Sequence, residues 1–132
     1  MTTAAVAVKL GLQMHIDITT PDVGIENALR KSAETGLLIH ISELDISMNT
    51  KRTKTFVPTA DELERQFQKY KFVVAAYKRL VPTKQQFGIT MWNVGDADSW
   101  IPGFCECSDF PSLFDKTYTK KRVYQGFWDG FK

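Results

Sequence analysis

The stretch Leu37-Leu38-Ile39-His40-Ile41-Ser42-Glu43-Leu44-Asp45-Ile46 reads as a β-strand. So continuous an apolar start suits a strand covered on both faces, and such strands belong to parallel sheets packed under helices. Two acids and an imidazole interrupt it, and an unpaired carboxylate is costly to bury. Side chains alternate along a strand, so the spacing predicts Glu43 and Asp45 on one face, together with Ile39 and Ile41. Two acids that close raise each other's pKa unless a cation or hydrogen-bond donor stands between them.

Upstream, Leu10 to Ile16 alternates apolar residues with Gln13 and His15 and predicts a strand. Asp22 is the expected N-cap of a helix carrying Ile25, Ala28, Leu29 and Ala33, and Gly36 its closing residue. Downstream, a polar loop covers Ser47 to Pro58. Thr59 with Glu62 predicts a capping box, opening a helix to about Arg79 with Leu63, Phe67, Tyr70, Val74 and Tyr77 in its stripe. Pro82 ends that helix, and Phe87 to Trp92 predicts a third strand. A long loop from Asn93 to about Thr117 leads to a final short helix within Lys120 to Phe131. Strand and helix alternate three times, which implies an α/β fold with a parallel sheet and helices over it.

The chain has 132 residues, 43% hydrophobic and 24% charged, as a soluble globular domain has, and no linker divides residues 1–132. Seventeen Lys+Arg against 15 Asp+Glu, spread along the chain, gives no basic face for nucleic acid. The densest basic run, Lys51, Arg52 and Lys54, reads as a solvated loop. No apolar stretch approaches the roughly 20 residues of a membrane span. Met1 to Leu12 lacks the basic cluster and cleavage region of a signal peptide. Cys105 and Cys107, one residue apart, form neither a Cys-x-x-Cys pair nor a zinc set, and read as two free or loosely placed thiols in a loop. No metal or cofactor is expected.

In parallel α/β folds, ligands meet the loops at the carboxyl ends of the strands. His15, Glu43, Asp45, Trp92 and Asp96 all fall there. An imidazole such as His15, coming from the neighbouring strand, could stand between the two acids; a satisfied core histidine with a structural ion pair uses the same residues. Trp92 and Trp100 flank the polar loop Asn93-Val-Gly-Asp-Ala-Asp-Ser99. An indole at a cleft mouth suits a sugar ring, and equally suits core packing.

Three segments carry a resemblance: Gly11-Leu-Gln-Met-His15, Thr35 to Ile46, and Gln86-Phe-Gly-Ile-Thr-Met-Trp-Asn-Val-Gly-Asp-Ala-Asp-Ser-Trp100. With Leu113-Phe-Asp115, Tyr118 and Lys120 to Gly126, they resemble the last three strands of family 10 glycoside hydrolases, the retaining endo-β-1,4-xylanases. The resemblance implies the C-terminal three βα units, strands 6–8, of a (β/α)8 barrel. It implies Glu43 as catalytic nucleophile, with His15 and Asp45 holding it in position and ionised. Gln13, Trp92 and Trp100 match residues lining the xylose subsite, so xylan or a xylo-oligosaccharide is the implied partner. Family members are usually secreted or periplasmic.

The resemblance also has a departure. Retaining hydrolysis needs a second carboxyl group about 5–5.5 Å from the first, and the family carries it in an Asn-Glu motif absent here. Asp96, Asp98 and Glu106 are conceivable substitutes if their loop folds inward. A complete barrel typically takes about 250 residues. The expectation is therefore the nucleophile half of a site, its missing strands supplied in cis or in trans. A non-catalytic carbohydrate-binding remnant and an assembly module pairing through bare strand edges are the competing readings.

Overall fold

The computed structural model describes residues 6–132, so the first five residues of the segment read as carrying no signal peptide lie outside it. Three parallel strands, β1 (Lys9–Asp17), β2 (Leu38–Ser47) and β3 (Gln86–Met91), form one sheet in the order β1-β2-β3. Helix α1 (Asp22–Glu34) connects β1 to β2, and α2 (Ala60–Leu80) connects β2 to β3. A five-residue α3 (Ile101–Cys105) interrupts the long segment after β3, and α4 (Arg122–Asp129) follows.

The local signals explain most boundaries. The Thr59 hydroxyl accepts from the Glu62 N–H while the Glu62 carboxylate accepts from the Thr59 N–H, so two orphan donors of α2 are satisfied. Gly36 takes φ +73°, a left-handed conformation that suits glycine after a helix end. At the start of α1 the expected cap is corrected: extended Pro21 is the N-cap and Asp22 is already in the first turn. There Asp22 lies at the positive end of the helix and pairs with Lys69 of α2. In α2, Leu63 is exposed, whereas Gln66 is buried and donates to the carbonyls of Ile46 and Phe110, both at 2.8 Å.

The face of β2 is a second correction. Register slips by one residue between Leu12 and Gln13 against β1, and again between Ile41 and Leu44 against β3. One extra residue in the strand reverses the parity of everything after it. Ile39, Ile41, Leu44 and Ile46 are all fully buried in the core with Leu29, Tyr70, Val73 and Val74 of the helices. Glu43 and Asp45 therefore face away from Ile39 and Ile41. The bulge lets one strand keep its aliphatic residues under the helices and turn both acids to the other side.

The segment after β3 is more ordered than a simple loop. Asp96, 2% exposed, receives the Ser112 N–H at 2.8 Å and pairs with Lys121 at 3.0 Å, tying the strand end to the approach of α4. Burial raises the Asp96 carboxyl above its ordinary value, opposed by Lys121; burial lowers the Lys121 ammonium, opposed by Asp96.

Candidate active site

Adjacent strands bring the acids and the imidazole together. Register pairs Gln13 with Glu43 and His15 with Asp45, so the bulge sets both acids beside β1. His15 Nε2 lies 2.8 Å from a Glu43 carboxylate oxygen, and its Nδ1 lies 3.0 Å from Asp45 Oδ1. Both neighbours accept, so both ring nitrogens are asked to donate, which only the imidazolium can do. Burial would lower the His15 pKa, but the hydrogen bonds and charges of Glu43 and Asp45 outweigh it, and the net shift is upward.

Asp45 is the deepest of the three. Its second oxygen accepts the Trp100 indole N–H at 2.9 Å. Burial raises the Asp45 carboxyl above its usual value, while the bonds from Trp100 and His15 oppose that rise. Sequence reasoning assigned Trp100 only a ring surface and missed its N–H as an anchor. No local signal marks a contact spanning 55 residues.

The tryptophans frame the imidazole. Trp100 meets His15 edge-on with ring centroids 5.3 Å apart, and Trp92 does so at 6.2 Å. Trp92 is held at the end of β3 by its backbone N–H, which donates to the Leu44 carbonyl, and both indoles keep exposed surface. Gln13 is exposed beside Glu43 in the register but makes no hydrogen bond within the His15–Glu43–Asp45–Trp100 chain. A fixed carboxylate, a bridging imidazole and two open indole faces suit nucleophilic chemistry on a sugar ring.

Two of the three acidic candidates of the following segment have their carboxylates otherwise engaged, and Glu106 is held only through its backbone. Asp96 is buried in its pair with Lys121, Asp98 accepts from the Gly95 N–H and the Tyr118 hydroxyl, and exposed Glu106 is the C-cap of α3. Among the described residues, no group of three or more His, Cys, Asp or Glu is disposed to hold a metal ion.

The free-thiol expectation is overturned: Cys105 and Cys107 form a disulfide, and Cys105 is helical. The cause is the backbone between them. Glu106 takes φ +53° and folds the chain back, bringing the two Cα atoms to 5.1 Å, within the range a disulfide spans.

The sequence matches the glycosyl hydrolase family 10 model over residues 4–129. It is 32% identical to endo-beta-1,4-xylanase Xyn10C of Cellvibrio japonicus, over 91% of this chain and 22% of the relative. It is 34% identical to endo-1,4-beta-xylanase A of the same species, strain Ueda107, over 89% of this chain and 21% of the relative. The chain thus spans about a fifth of the length of these two curated relatives. In structure it is similar to a thermostable mutant of a xylanase (Xyn10A) from Cellvibrio japonicus, with TM-score 0.84 and 30% identity over 93% of this chain and 39% of that one. It is also similar to a mutant of xylanase 10C from Cellvibrio japonicus in complex with xylopentaose, with TM-score 0.83 and 32% identity over 92% of this chain and 27% of that one.

Proposed function

The chain belongs to glycosyl hydrolase family 10, and from that premise we propose that it carries the nucleophile half of a retaining endo-β-1,4-xylanase site. Its three parallel strands are then strands 6–8 of a (β/α)8 barrel, with the remaining strands supplied in cis or in trans. The observation that carries this reading is the imidazole of His15 held between Glu43 and Asp45.

Glu43 is the nucleophile. One carboxylate oxygen attacks the anomeric carbon, a carbon–oxygen bond forms, and the bond to the leaving sugar breaks. The leaving oxygen takes its proton from a general acid on the missing strands. Water then attacks the glycosyl-enzyme, with that second carboxyl acting as base. His15 positions Glu43 through Nε2, and Asp45 positions His15 through Nδ1. Trp100 fixes Asp45 and, with Trp92 and Gln13, lines the xylose subsite.

The complex of a family relative with xylopentaose supports xylan or a xylo-oligosaccharide as substrate. The disulfide supports a secreted or periplasmic location, since disulfides persist in oxidising compartments. No helix among the described residues is long and apolar enough to cross a membrane.

The test is reconstitution. Mixing this chain with a polypeptide carrying the first five βα units of a family barrel is expected to release reducing ends from xylan. The same mixture made with Glu43→Ala is expected to release none. Equal release with and without the Glu43 carboxylate refutes the proposal.

A further inference from the structure

A cavity of about 260 Å³ opens beside His15 and Asp45, on a side that Glu43 does not line. One wall is aromatic: Trp100 and Phe104 lie 5.2 Å apart by ring centroid, and both keep large exposed areas. The turn after β2 also lines it, contributing Asn49, Thr50 and Arg52. This turn holds the densest basic run of the chain, Lys51, Arg52 and Lys54.

The turn is built rather than loose. Asn49, 4% exposed, clamps it from both sides: its carbonyl accepts the Thr53 N–H, and its amide donates to the Thr53 and Ser108 carbonyls. Arg52 stands in a left-handed conformation, φ +52°, which a non-glycine residue adopts at a cost of about 1 kcal/mol. Its guanidinium carbon lies 5.5 Å from the Phe104 ring centroid, within cation–π range, and both residues line the cavity.

The charge inventory decides what could sit there. Three carboxylates line the cavity, and each already accepts hydrogen bonds. Asp45 takes them from His15 and Trp100, and Asp17 from the Thr19 backbone and hydroxyl. Asp109 takes them from Ser47 and from the N–H groups of Met48 and Phe110. Arg52, Lys51 and Lys54, by contrast, form no ion pair among the described residues. An aromatic wall with the unpaired guanidinium of Arg52 beside it, and Lys51 and Lys54 next to Arg52 in the chain, suits a sugar that carries a carboxylate.

Resting on the reading of this site as glycan-cleaving, we propose that the Lys51–Lys54 turn recognises a uronic-acid substituent on the xylan chain, with Arg52 as its principal contact. The turn thus selects acidic, decorated substrate over plain xylan.

Calorimetric titration of the chain, reconstituted with the first five βα units of a family barrel, with xylotriose bearing one glucuronic acid and with unsubstituted xylotetraose tests this. Free glucuronate is the control for anion binding alone. At low salt the acidic ligand is expected to bind about fivefold tighter than the neutral one, the scale of one exposed charge pair, and raised salt is expected to shrink the ratio. Arg52→Gly, which suits the left-handed backbone, is expected to bring the ratio to one without weakening the neutral ligand, and Arg52→Lys to retain most of it. Equal affinity for both ligands in the wild type, or a ratio unchanged in Arg52→Gly, overturns the proposal and leaves the glycan-cleaving reading standing. Equally tight binding of free glucuronate overturns it in favour of a simple anion site. Binding of neither oligosaccharide overturns the proposal together with the reading beneath it.

Discussion

The indole N–H of Trp100 donates to the Oδ2 of Asp45 at 2.9 Å, joining the segment after β3 to the second acid of β2. That bond and the one from His15 are what let a carboxylate 1% exposed remain in the fold. Trp100→Phe keeps an aromatic ring but removes the donor, leaving one Asp45 oxygen unsatisfied. It is expected to lower stability by about 1–3 kcal/mol. Trp92→Phe removes no such bond and is expected to change stability less. Urea denaturation of both variants compares them directly.

The two histidines titrate in opposite directions. The folded pKa of His15 lies above its ordinary value of 6.5, so its contribution is fully present below that value and is lost as pH rises through the folded value. The folded pKa of His40 is lowered by burial and by Lys9, so its contribution grows as pH rises toward 6.5. Unfolding free energy measured across this range is expected to lose its alkaline fall in His15→Gln and to keep it in His40→Gln. An unchanged alkaline fall in His15→Gln contradicts the placement of an imidazolium between Glu43 and Asp45.

The element order was legible because its signals are local. Gly36, the Thr59–Glu62 box and Pro82 each act within a few residues, and each marks an observed boundary. The face of the two acids was not legible. Ser42-Glu43 continues a regular alternation on paper, and only pairing with both neighbouring strands reveals the extra residue. The cap at Pro21 was missed because an Asp in the first turn and an Asp at the cap favour the same helix end. The disulfide was missed because it depends on one backbone angle at Glu106. Which residues could form the site was visible as residue types at strand ends; the His15 bridge and the Trp100 anchor required tertiary geometry.

The Cys105–Cys107 bridge closes a very short loop, so its removal is expected to cost only about 1.5 kcal/mol. Cys107 is buried, and the next residue is bonded to the β2–α2 turn: the Ser108 N–H donates to the Lys54 carbonyl, and the Ser108 hydroxyl accepts the Phe56 N–H. Thermal melts of Cys105→Ser/Cys107→Ser against wild type are expected to show a small drop in Tm with the fold retained. Complete unfolding of the double variant contradicts this.

Among the described residues, β1 and β3 each pair on one side only, with β2. Strand edges with unpaired N–H and C=O groups are templates for another chain. The chain on its own is expected to sediment with a concentration-dependent mass, and to return to a single species when the complementary barrel strands are added. A concentration-independent monomer with a sharp cooperative melt contradicts that expectation.

Glu43, held by His15 and Asp45, is the proposed nucleophile. The most direct measurement is intact and peptide mass spectrometry after incubation with a 2-fluoro-xylobioside carrying a dinitrophenyl leaving group. That group departs without a general acid, so only the nucleophile's half of the site is tested. The prediction is a mass gain of one glycosyl unit, mapped to Glu43 and absent in Glu43→Gln. An adduct on another carboxylate, or no adduct on the chain reconstituted with the remaining barrel strands, contradicts it.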